Sequence, residues 1–198
     1  MTTRREVIVA GMALGVLPGL AGSQSRLSAT SPQSLAVSQV LIDERFADAI
    51  AMAGYVVAAG VTVTTLPRDV LGIWHDELLP ELRSGQLQAL GGITTPDGLF
   101  LLRTLAADLR WRVIYEANHR TSSAAIMAHR LNGRWPTVSV MAADVQTQDW
   151  RQRFAGALVA CHAKGRAVTR TVLTPCSAAG SVGQDLVSWV LAPGIKAI

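Results

Sequence analysis

Cysteine is nearly missing from this chain of 198 residues: only Cys161 and Cys176 occur. Two thiols so spaced form neither a CxxC redox motif nor a zinc site, and they exclude iron–sulfur clusters and c-type haem attachment. Charge is sparse too, at 16% of residues, with a net charge of +4. The basic residues are scattered in sequence without interleaved aromatics, which disfavours nucleic-acid binding and leaves a mild affinity for acidic surfaces. Nucleotide fingerprints are missing: neither GxGxxG nor GxxxxGK[ST] is present, so no dinucleotide or triphosphate is held in the usual way. HExxH and the GxSxG elbow are also missing. In Trp74-His75-Asp76-Glu77 the side chains point in different directions around a helix and cannot converge on one ion. No metal and no cofactor are expected. No apolar run reaches the roughly 20 residues that span a bilayer.

Hydrophobic residues, by contrast, make up 49% of the chain, enough for a substantial core. The N-terminus has its own organisation. Arg4-Arg5 precedes an apolar run from Val7 to Leu17, and Gly19 and Ala21 put small residues at the positions a signal peptidase reads. Thr3-Arg4-Arg5-Glu6-Val7-Ile8 resembles a twin-arginine signal, although Val9 stands where that signal often has lysine. The resemblance implies a signal over residues 1–21, cleavage after Ala21, export of an already folded protein to the periplasm or beyond, and no stable membrane span afterwards. Residues 22–34, rich in serine, threonine and glutamine, read as a flexible linker. Residues 35–198 then form one domain.

That domain alternates short apolar runs with amphipathic ones. Strands are expected at Leu35–Ile42, Val61–Leu66, Leu87–Ile93 and Trp111–Ala117, with helices at Phe46–Ala59, Asp69–Arg83 and Leu99–Leu109. Gly60 and Gly85 close the first two helices, and Thr95-Pro96-Asp97 opens the third. Strand–helix alternation of this kind predicts βαβ units and a mainly parallel sheet, an α/β three-layer sandwich of Rossmann-like or flavodoxin-like type. The C-terminal part reads as an extension: a hairpin turning at Asn132-Gly133 between Ile126–Leu131 and Trp135–Met141, a helix over Thr147–Ala163, and strands at Val168–Leu173 and Leu186–Leu191.

Ligands of open parallel sheets bind beyond the carboxyl ends of the strands. This rule singles out Asp43, Arg68, Asp69, Thr94, Thr95, Asn118 and His119. Thr94 and Thr95 stand at a helix N-terminus, where backbone N–H groups and the helix dipole favour an anion. Their alternative use is to cap the helix and satisfy backbone groups. His119, oriented by Asp43, is a candidate general base. Cys161 and Cys176 are either a disulfide or two buried thiols. Two functions follow: an exported protein that binds a small anionic ligand or supports a periplasmic partner, or a small periplasmic hydrolase or isomerase. The enzyme requires Asp43, Thr95 and His119 around one substrate.

Overall fold

The computed structural model describes residues 35–66, 68–123, 126–142, 149–175 and 185–194. The signal-like segment, the linker and Cys176 lie outside them.

The first units form as the pattern expects. β1 (Gln39–Ile42) leads through α1 (Ala47–Ala58) to β2 (Thr62–Thr65), which pairs parallel to β1. Gly60, at φ +81°, turns the chain out of α1 in the left-handed region that glycine tolerates best. The next helical stretch comes in three pieces: α2 (Val70–Ile73), a π-helical turn over Trp74–Leu78, and α3 (Leu79–Ser84). Pro80 accounts for the middle piece. It has no N–H to offer the Asp76 carbonyl and its ring crowds that carbonyl, so the helix widens and the Leu79 amide donates to the Trp74 carbonyl instead. β3 (Leu90–Thr94) pairs parallel to β1 on its other side, and α4 (Pro96–Ala107) leads to β4 (Trp111–Ser123).

The sheet is not mainly parallel, so the Rossmann-like or flavodoxin-like expectation is corrected. Seven strands lie in the order β2-β1-β3-β7-β4-β5-β6, and only the β1–β2 and β1–β3 pairings are parallel. The crossover through α4 does return β4 in the direction of β3. However, β7 (Leu186–Pro193) inserts between them, antiparallel to both. β7 is buried on both faces from Leu186 to Ala192, the pattern of a central strand rather than of an appended layer. Beyond β4, β5 (Ile126–Arg134) and β6 (Ala167–Pro175) continue the sheet antiparallel.

Three local expectations are corrected with it. β4 does not stop at Ala117 but stays paired with β5 and β7 past it, so Asn118 and His119 lie within the sheet. Asn132-Gly133 is not a turn: both residues sit in β5, and a Cβ at Gly133 would lie 3.3 Å from the side chains of Tyr115 and Val138. Trp135–Met141 is helical, as part of α5 (Trp135–Ala142). Pro136 suits the first helical turn, and burial of Val138 outweighs the β-branched composition.

Helices cover both faces. α1, α5 and α6 (Trp150–Val159) share a core with Val40, Ile93, Leu131 and Val190, while α2–α3 and α4 share another with Leu41, Leu90, Trp189 and Leu191. Arg151 joins α6 to α1 through Asp48 at 2.7 Å, with both side chains largely buried. Among the described residues no helix is long and apolar enough to cross a membrane.

Candidate functional site

The three parallel strands end side by side, and the residues that follow them gather. Asp43 and Arg45 after β1, Arg68 after β2, and Thr95 and Asp97 after β3 line one cleft of about 850 Å³. Asp43, Arg68 and Thr95 are thus brought together as the strand-end rule anticipates.

Their immediate partners differ. The Asp43 carboxylate is buried and accepts from Arg45 Nε at 2.8 Å and from the Arg45 amide at 3.2 Å. Burial alone would raise its pKa, but Arg45 outweighs burial and holds it below the ordinary carboxylate value. Asp43 is therefore an ionised anchor for Arg45. Asp69 caps α2, accepting from the Gly72 amide at 3.0 Å. Thr95 caps α4, accepting from the Gly98 amide at 3.1 Å. Thr94 has no access to the cleft: it is fully buried, receives the Trp189 indole N–H at 3.0 Å and donates to the Thr95 carbonyl. The hydroxyls at this helix start serve the fold, as their alternative use foresaw. Arg68 is exposed and, among the described residues, makes no ion pair.

His119 is elsewhere. It sits in the antiparallel half of the sheet, opposite His129 on β5 and beneath Trp150 and Phe154 of α6. Its Nδ1 is 2.7 Å from His129 Nδ1 and its Nε2 is 2.9 Å from Ser188 Oγ, while His129 Nε2 is 2.8 Å from Thr174 Oγ1. Tyr115 hydrogen-bonds Ser188, extending the chain. One Nδ1 must donate and the other accept, so the two neutral rings carry opposite tautomers and the hydroxyls at either end complete the network. Burial, reinforced by His129, drives His119 far below the ordinary histidine value, and burial lowers His129 to about 3. Both ring nitrogens of His119 are engaged here and Asp43 is engaged by Arg45, so the two do not form a general-base pair. Asn118 projects to the opposite face and donates to Glu116 at 2.7 Å.

No protein-family model, curated protein or solved structure matches the chain. The site therefore rests on its own geometry. Among the described residues no group of three or more histidine, cysteine, aspartate or glutamate side chains could hold a metal ion. Cys161 is a buried thiol that burial pushes up to about 11, against hydrogen bonds with Thr137 and the His162 amide. Its possible bridge to Cys176 reaches outside the described residues.

Sequence reasoning did not join His129, Ser188 and Thr174 to His119, and it did not place Glu44 and Asp97 in the cleft. Asp97 stands beside Thr95 in a segment already singled out, so it was the easiest of these to find.

Proposed function

We propose that this chain is an exported small-ligand-binding protein whose site is the strand-end cleft. The observation that carries the reading is Arg68, an exposed guanidinium with no ion pair among the described residues, in a cleft at the start of α4. Asp43 is already neutralised by Arg45, which leaves Arg68 as a positive group facing Glu44 and Asp97 as negative ones. Such a cleft suits a small zwitterion: an acid group on Arg68 and the α4 N-terminus, an ammonium group on Asp97 and Glu44. A plain anion would meet both carboxylates unopposed.

Titration calorimetry with a panel of free amino acids, and with the matching simple acids and amines, tests this. At least one amino acid should bind, and Arg68→Gln should weaken it about tenfold, or about 1.4 kcal/mol, with the melting temperature of the free protein unchanged. Binding that survives Arg68→Gln at full strength would move the site away from this cleft.

Export is proposed on Thr3-Arg4-Arg5-Glu6-Val7-Ile8 and the apolar run behind it. Replacing Arg4 and Arg5 together by lysine should hold the precursor inside the cell, as read by fractionation. Export at the normal level would rule out the twin-arginine route.

A further inference from the structure

Acidic and basic residues divide unevenly along the chain, and the sheet order keeps the two stretches apart. Residues 35–109 hold nine carboxylates and four arginines, whereas from Ala117 to Pro175 there are two carboxylates, Asp144 and Asp149, against eight lysines and arginines. Among the described residues the sheet order puts β2 at one edge and β6 at the other, so the basic stretch ends in an edge strand. Arg166 precedes β6, Arg170 lies within it, Arg130 stands opposite Thr171 on β5, and Lys164 sits in the turn before; all four are exposed. None of them makes an ion pair among the described residues.

β6 is a long edge. Its nine residues pair with β5 without a register shift, and its only proline is the last residue, Pro175. Native sheets usually shorten, bulge or break such an edge, because its unpaired N–H and C=O groups recruit other strands. β2, at four residues, follows that practice and β6 does not. The charge on β6 works selectively. It sets Arg166 and Arg170 against their equivalents when a second copy approaches edge to edge, and it attracts carboxylates.

We propose that β6 accepts an extended acidic segment of a partner protein as an added strand of the sheet. The ladder of main-chain hydrogen bonds supplies affinity, and acidic side chains along one face of the segment meet Arg170 within β6 and Arg166 and Lys164 just before it. A polypeptide is favoured over other polyanions because only a peptide backbone can satisfy a strand edge in register. This surface is in the opposite half of the sheet from the strand-end cleft, so the two proposals stand or fall separately.

The test uses the mature protein and a fluorescent peptide of alternating glutamate and valine, as long as β6, read by anisotropy. Binding should weaken about tenfold or more between low salt and about 0.5 M salt, since exposed pairs are screened. It should fall by about tenfold in the double variant Arg166→Glu, Arg170→Glu, whose fold is checked by its melting curve. The charge-reversed variant should in turn take up a lysine–valine peptide. Amide exchange within residues 167–175 should slow on binding. Three results would overturn the proposal: no binding at low salt, undiminished binding of a peptide whose alternate amides are N-methylated, or protection confined to other strands. Phosphatidylglycerol vesicles that displace the peptide without slowing exchange in β6 would equally overturn it and assign the surface to a lipid headgroup.

Discussion

Gly92→Ala should cost this protein about 3 kcal/mol or more of folding stability, a large effect for one methyl group. A Cβ at Gly92 would lie 2.0 Å from Trp189 Cζ2 and 2.2 Å from Cε2. Gly92 and Trp189 are direct partners across the β3–β7 pairing, and the indole occupies the space a Cβ at Gly92 would need. The ring has nowhere to go: Trp189 is fully buried, packed among Leu41, Leu90 and Leu191, and its N–H is committed to Thr94. Relief requires either a shift of β3 against β7 at the centre of the sheet or the loss of that buried hydrogen bond. Urea denaturation measures the cost, and a second substitution identifies its source. Trp189→Leu destabilises the protein on its own by leaving a cavity and removing the indole donor from the Thr94 oxygen, but it removes the atoms in the way. Gly92→Ala should therefore be nearly silent in the Trp189→Leu background, with a coupling of about 2 kcal/mol. Equal costs in both backgrounds would show that the clash is not with the indole.

Gly91-Gly92 illustrates how far the sequence could be read. A glycine pair at the end of a strand permits close approach, and here the approaching group is a tryptophan from the far end of the chain. The local βαβ reading held through β3, because strand and helix periods, Gly60, Gly85 and the Thr95 cap are local signals. It failed where the sheet is completed by distant strands. Nothing between Leu90 and Trp111 announces that Leu186–Pro193 will come between β3 and β4. The double-sided burial of β7 was written in its continuous run Leu186-Val187-Ser188-Trp189-Val190-Leu191-Ala192, the composition of a central strand. The histidine pair was obscured by a misplaced turn. With the reversal set at Asn132-Gly133, His119 falls beyond a strand end and His129 lies alone in another. With β4 paired to β5 in the observed register, Glu116↔Asn132, Ala117↔Leu131 and His119↔His129 follow from simple counting. Between His119 and His129 the sequence carries no glycine, asparagine or proline that would have marked a break there. The strand-end cleft was legible because it depends only on the parallel half.

Mild acid should unfold the protein, and the histidine pair should set the pH. An unfolded histidine titrates near 6.5, whereas folded His129 titrates near 3 and folded His119 well below 6.5. Below about pH 6.5 the unfolded chain therefore binds protons that the folded one refuses, so stability is complete above that pH and declines as the pH falls toward 3. Each proton contributes a slope of about 1.4 kcal/mol per pH unit, and both together about 2.7. For His129 alone, the drop from 6.5 to about 3 corresponds to about 5 kcal/mol, comparable with the whole stability of many domains. The geometry agrees with the sign. A first proton forces Ser188 or Thr174 to turn its hydroxyl hydrogen away, and a second sets two N–H groups against each other across the 2.7 Å Nδ1–Nδ1 contact. Among the described residues no carboxylate hydrogen-bonds either ring to compensate; the neighbours include Ser188, Thr174, Trp150 and Phe154. Asp43 and Asp185 are held below the ordinary carboxylate value by Arg45 and Arg120, so their loss comes at lower pH and leaves the window just under 6.5 to the histidines. Urea midpoints between about pH 8 and pH 4 give the slope. His129→Asn should reduce stability at neutral pH by leaving His119 Nδ1 poorly paired, and should flatten the acid limb by about one proton. A wild-type stability that stays level from pH 7 to pH 5, or a limb unchanged in His129→Asn, would show that these rings do not govern the response to acid.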